Sequence, residues 1–113
     1  MTYAVRGTIT AVHFTARLNV EEEALIHLEV AHPGNLCVHE VIPDIEPVGA
    51  DTFYISASLL VSESGEHCSC LEEIPIKTQL LFKSGRSGNY VFLYNDDQNN
   101  VTSESGRFEI EVE

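Results

Sequence analysis

The sequence predicts an all-β fold: a single-domain, mostly antiparallel β-barrel or β-sandwich of about seven strands, covering residues 1–113. Three observations predict it. Apolar and polar side chains alternate with a period of two in five segments, as they do in half-buried strands. Clusters of Gly, Pro, Asn, Asp and Ser separate these segments. Helix caps are scarce, and the length of 113 residues suits one domain.

Seven segments carry the strand signal. The five alternating ones are residues 3–14, 24–31, 53–61, 74–83 and 107–113. The last is the most regular, with Phe108, Ile110 and Val112 on the inner side and Arg107, Glu109, Glu111 and Glu113 on the outer side. Residues 36–42 and 89–94 are apolar enough to be strands with less exposure to solvent.

Turn-forming residues predict how these strands connect. Residues 32–35 and 84–88 are rich in Gly, Pro, Asn and Ser, and both predict hairpin turns. Residues 43–51 contain two prolines and predict a longer irregular crossing. Residues 95–100 predict a polar tip. Residues 19–25 fit either one short helical turn or, preferably, a charged loop that enters a strand.

The charge is strongly unbalanced, because 18 acidic residues face 6 basic ones and the formal net charge is −12. Such a chain repels nucleic acid and anionic membranes and attracts basic proteins. We predict that partner-binding residues lie in two clusters. One is the β-strand row Glu109, Glu111 and Glu113, and the other is the loop triplet Glu21, Glu22 and Glu23. The alternative is that the acidic surface only confers solubility.

The three cysteines, Cys37, Cys68 and Cys70, are an odd number, which argues against a disulfide framework and suits a reducing compartment. The amino-terminal residues lack the basic start and apolar core of a signal peptide. No apolar run approaches the length of about 18 residues that a membrane helix needs. A cytoplasmic location is therefore expected.

The cysteines also raise the question of a metal site. Cys37 and His39 point to one face of a strand, since alternate residues do so. With Cys68 and Cys70 they would offer the four donors of a tetrahedral zinc site. Their spacing is atypical of structural zinc sites, and Cys37 also fits a buried core position. We therefore predict no metal and no cofactor.

No nucleophile motif surrounds any cysteine or serine, which indicates that the protein is not an enzyme. The favoured hypothesis is a small acidic, non-enzymatic protein-binding domain. In its most concrete form it is an inhibitor or immunity-type protein that blocks a basic enzyme such as a nuclease. The alternative is a β-barrel that binds a small molecule or a metal. The sequence leaves the partner and the oligomeric state open.

Overall fold

The computed structural model describes residues 2–34, 36–63, 76–95 and 106–113. These residues form strands and contain no helix, which confirms the all-β prediction. The strands are β1 (Tyr3–Arg6), β2 (Ile9–His13), β3 (Arg17–Leu18), β4 (Ala24–Val30), β5 (Leu36–Pro47), β6 (Thr52–Glu63), β7 (Ile76–Phe82), β8 (Gly88–Tyr94) and β9 (Gly106–Val112). The described residues thus hold nine strands rather than about seven.

The two additional strands have separate causes. The segment 3–14 splits into β1 and β2 at the buried Gly7, whose N–H donates to the carbonyl of Ala57 at 2.8 Å. A Cβ atom at Gly7 would lie 2.7 Å from a methyl group of Val30, so a side chain at this position would displace its neighbours in the core. The other additional strand is the two-residue β3, which is too short to show any alternation.

The strands form two curled sheets that together make a half-barrel. The larger sheet has six strands in the order β1-β6-β8-β9-β3, with β5 paired to the opposite edge of β6. The smaller sheet has the order β2-β4-β7. Most pairs are antiparallel, and the pairs β6–β8 and β3–β9 are parallel. Because β6 is long, β1 and β8 pair with different halves of the same edge.

Two predicted hairpins are wrong. Residues 32–35 follow β4 and precede β5, but β4 pairs with β2 and β7 while β5 pairs with β6. Residues 84–88 likewise join β7 of the small sheet to β8 of the large one. Turn residues such as Gly34, at φ 75°, permit a chain reversal without specifying which strands then pair. Both turns therefore carry the chain from one sheet to the other.

The predicted irregular crossing over residues 43–51 is wrong over most of its length. Strand β5 continues to Pro47, and residues 48–51 turn the chain into β6, where Val48 and Gly49 donate to the Thr52 carbonyl. Two prolines are tolerated because β5 is an edge strand of the described sheet, where a missing N–H group leaves no ladder bond unmade. The result is a long β5–β6 hairpin.

The core lies between the inner faces of the two sheets. The predicted alternation is confirmed in β4, where the side chains Ala24, Ile26, Leu28 and Val30 are buried, and in β9, where Phe108, Ile110 and Val112 are buried. Phe92 lies at the centre, stacked on Phe108 with ring centroids 4.8 Å apart. Aromatic pairs of this kind add to the stabilisation that comes from burial alone.

Candidate functional site

The predicted row on β9, here called the β9 row (Glu109, Glu111 and Glu113), points away from the core. Glu109 accepts a hydrogen bond from the Asn89 side-chain amide at 2.7 Å and lies 3.2 Å from the Arg107 guanidinium. Glu111 lies 3.5 Å from Arg17. Arginine therefore partly neutralises two of the three carboxylates, although exposed pairs of this kind contribute little to stability.

The loop cluster, here called the Glu21 triplet (Glu21, Glu22 and Glu23), is exposed and enters β4 without forming a helix. Glu21 has a left-handed backbone with φ 69°, and its N–H donates to the Ser84 carbonyl at 2.8 Å. Its carboxylate lies 3.4 Å from the Lys83 ammonium. The carboxylate of Glu22 accepts a hydrogen bond from the Asn19 N–H at 2.9 Å. The triplet is thus tied to the strand ends around it and is partly neutralised as well.

A third acidic cluster, which sequence reasoning did not select as a site, lies on the edge strand β5. We call Glu40, Asp44 and Glu46 the β5 row; all three are exposed, and Ile42 between them is 47% exposed. Val41 and Ile45, on the opposite side of the strand, pack against the core. Within the part of the chain that the structure describes, no β5-row carboxylate forms an ion pair.

The signal for this row is present in the sequence, because residues 40–46 alternate between outward and inward positions. Two features hide it. The prolines at positions 43 and 47 suggest a loop, and Ile42 interrupts the polar side of the pattern.

The β5 row and the β9 row lie on the same outer face of the six-stranded sheet. The register pairs Asp44 with Ser56 on β6. It also pairs Val91 of β8 with Glu109 of β9. Because the strand order is β5-β6-β8-β9, three inter-strand steps, or about 14 Å, separate the rows across the sheet. The register also offsets Glu109 from Asp44 by four residues, or about 13 Å, along the strands. The surface that contains both rows is called the outer face below.

The chain's six Arg and Lys residues all lie within the described ranges, so their positions show where negative charge is compensated. Arg17 and Arg107 pair with the β9 row, and Lys83 pairs with the Glu21 triplet. Arg6 lies over the Tyr54 ring, 5.8 Å from its centroid, and Tyr54 is the register partner of Glu46. Lys77 and Arg86 form no ion pair with a described residue. On β5, three exposed carboxylates thus lie on one strand without an ion pair to any described residue.

The cysteine positions require a correction. The odd number of cysteines predicts no disulfide framework, but Cys37 is disulfide-bonded and buried. The other two cysteines, Cys68 and Cys70, lie outside the described residues. A sulfur in a disulfide is not available as a thiolate ligand, so Cys37 does not contribute to the four-donor zinc site considered above.

His39 also has a local partner, because its Nε2 atom lies 2.7 Å from the Ser62 hydroxyl on the neighbouring strand β6. Across residues 2–34, 36–63, 76–95 and 106–113, no three His, Cys, Asp or Glu side chains are close enough together to hold a metal ion. The described part of the chain also contains no helix long and apolar enough to cross a membrane.

Comparison with known proteins assigns no family to this chain. No protein-family model, curated protein or solved structure matches it. The charges and geometry of the described residues, above all those on the outer face, are therefore the basis for assigning a function.

Proposed function

We propose that the protein is a non-enzymatic binding domain whose acidic outer face docks onto a basic protein. The observation that carries this proposal is the β5 row: three exposed carboxylates on one strand, with no ion pair to any described residue. The field of an exposed carboxylate without an ion pair stays uncompensated and is available to a partner. At low ionic strength, where exposed charges act over up to about 30 Å, the carboxylates of the β9 row would add to the same field.

The backbone of β5 supports a docking role in a second way. Its hydrogen bonds to β6 extend from Leu36 to Pro47, so the outward side chains have fixed spacing and direction. Carboxylates held in this way steer a basic partner during diffusion and fix its orientation on contact. Ile42 lies among them and supplies the apolar surface that the dry centre of an interface needs.

The most concrete form of the proposal is an inhibitor or immunity-type protein that blocks a basic enzyme such as a nuclease. Its carboxylates would occupy the positions where the enzyme binds phosphates. A catalytic group is unnecessary for such a role. The same negative charge opposes binding to nucleic acid and to anionic membranes.

An alternative explanation of the β5 row needs no partner. Charged side chains and prolines on an edge strand prevent it from pairing with other chains, and β5 carries both. The two explanations differ in what charge reversal would do. Loss of a protective edge would promote aggregation, whereas loss of a docking row would slow association with the partner.

The disulfide bears on the remaining hypotheses. Because disulfides persist mainly in oxidising compartments, the bond at Cys37 favours such a compartment over the cytoplasm expected from the sequence. It also weakens the metal-binding form of the alternative β-barrel hypothesis, which depends on that thiol. A small-molecule form of that hypothesis stays open.

The test compares three double charge reversals that change the net charge equally. They are Asp44→Lys with Glu46→Lys on β5, Glu109→Lys with Glu111→Lys on β9, and Glu22→Lys with Glu23→Lys in the triplet. A partner captured from source-cell extract at low salt is purified, and its association rate with each variant is measured over a range of salt concentrations. Exposed charges act over about 8–10 Å at moderate ionic strength, so position should matter as well as net charge.

We expect the β5 pair to slow association by at least tenfold and the β9 pair by several-fold, within the range known for electrostatic steering. The triplet pair should have the smallest effect because it lies off the outer face. Equal slowing by all three variants would mean that only net charge matters. Association that ignores both salt and the reversals would leave the acidic surface with a solubilising role only.

A further inference from the structure

A groove opens beside the small sheet, away from the outer face. It has a volume of about 460 Å³ and lies between β2, β4 and the loop that contains the Glu21 triplet. It is an open groove and not an enclosed cavity, so a ligand bound there would keep part of its surface in water. The residues that matter for its chemistry are Phe14, Leu18, Glu22, Glu23 and Leu25.

One wall of the groove is aromatic and fixed in position. The Phe14 ring stacks on Phe108, with centroids 4.3 Å apart, and Phe108 stacks in turn on the central Phe92. Phe14 is nevertheless 38% exposed, so part of its ring faces solvent at the groove. An exposed aromatic face that the core holds still is a favourable surface for a cation.

Two carboxylates also line the groove. Glu22 is oriented by the Asn19 N–H, which donates to its Oε1 atom at 2.9 Å. Glu23 forms no ion pair with any described residue. The loop that presents both is anchored at Glu21, whose N–H donates to Ser84, and at Val20, whose N–H donates to the Glu113 carbonyl. Both carboxylates are therefore presented from an anchored loop.

Two histidines complete the lining. His13 and His27 are direct cross-strand neighbours, and the Nε2 atom of His13 lies 3.4 Å from the Glu29 carboxylate. His13 therefore already has Glu29 as a partner. No lysine or arginine lines the groove, so no permanently charged side chain within it competes with a ligand for the carboxylates of Glu22 and Glu23.

We propose that this groove binds a guanidinium or primary ammonium group carried on an apolar stem. The cation would lie against the Phe14 ring and between the carboxylates of Glu22 and Glu23. The stem would lie along Leu25, which is exposed, and over the buried Leu18. The site is separate from the outer face, and neither proposal requires the other to be correct.

The test is a titration followed by amide NMR shifts. N-acetyl-arginine amide is compared with N-acetyl-citrulline amide, which has nearly the same shape but no charge. We expect the arginine probe to shift the amides of Phe14, Glu22 and Glu23 and to bind at least tenfold more tightly than the citrulline probe. Loss of a charged hydrogen-bond partner has a comparable effect, so Glu23→Gln should weaken binding of the arginine probe about tenfold.

Two further variants serve as controls. Glu63→Gln removes the same charge at an exposed position on β6, outside the groove and the three acidic clusters, and should leave the affinity unchanged. Phe14→Leu retains an apolar wall without the ring and should weaken binding several-fold. Equal binding of the two probes, or equal effects of Glu23→Gln and Glu63→Gln, would overturn the proposal.

The source of the cation is resolved by two more titrations. A free alkylguanidine that binds as tightly as an arginine-containing peptide would assign a small molecule as the ligand. Tighter binding of the peptide would assign a basic side chain of a protein. Absence of binding by both would overturn the proposal.

Discussion

Strands β5 and β9 present the same kind of acidic row on the same sheet face, yet the two differ in every other respect. The inner side chains of β9, such as Ile110, are fully buried, and arginines reach its carboxylates from β3 and from β9 itself. The inner residues of β5 beyond Val38, such as Ile45, are only half-buried, and its carboxylates have no ion pair with described residues. The carboxylates on the well-packed strand β9 are thus the ones that arginines partly neutralise.

This difference shows that the functional value of an acidic residue depends on its neighbours as much as on its exposure. Arg17 reaches Glu111 because β3 pairs with β9 in parallel, although the two residues are far apart in sequence. No described strand brings an arginine or lysine to pair with Asp44 or Glu46 in the same way. The row on the well-packed strand β9 is therefore the one that arginines partly neutralise. The row on the edge strand β5 offers more uncompensated negative charge to a basic partner.

The largest expected effect concerns packing. Ile110→Ala should destabilise the protein by about 2–5 kcal/mol, because it leaves a cavity in a fully buried site. Ile45→Ala should cost only about 1 kcal/mol, since its side chain is already partly exposed. Urea unfolding of both variants measures the difference. Equal losses would show that β5 is packed as firmly as β9.

The disulfide at Cys37 lies near the start of β5, where the side chains of Cys37 and Val38 are buried. We expect Cys37→Ser to lower the free energy of unfolding by about 2–4 kcal/mol. A reductant should lower the stability of the wild-type protein to that of the variant. Mass spectrometry in denaturant should show Cys37 alkylated only after reduction. Alkylation of Cys37 without reductant would contradict the bond.

The smallest effects concern the arginines on the β9 row. Arg17→Gln and Arg107→Gln should each change stability by no more than about 1 kcal/mol, because both ion pairs are exposed. Together they should quicken association with a basic partner about two- to threefold, because they remove two positive charges that oppose the field of Glu109 and Glu111. Slower association would instead place these arginines in contact with the partner.

The sequence predicts the strands of this protein better than their arrangement. Alternation identifies β4 and β9 because each has one buried and one exposed face. Alternation does not show which strands pair. The turn residues at 32–35 and 84–88 therefore predict hairpins, although both turns cross between the sheets. Pairing depends on burial between distant segments, which no local pattern encodes.

At the candidate sites too, the sequence predicts exposure better than it predicts tertiary contacts. Exposure of the β9 row is evident from alternation, and the structure places all three of its residues as predicted. Its neutralisation by Arg17 depends on tertiary pairing and is not visible in the sequence. The β5 row is missed for a local reason, because two prolines resemble a loop where an edge strand accepts them.

The outer face as a docking surface is tested most directly by mapping the bound partner. Amide shifts of the isotope-labelled protein are recorded as the captured basic partner is added at low salt. We predict that shifts at saturation concentrate on residues 40–46 of β5 and on residues 107–113 at the end of the chain. If those amides stay unshifted while the partner is bound, the docking surface lies elsewhere and the central proposal is wrong.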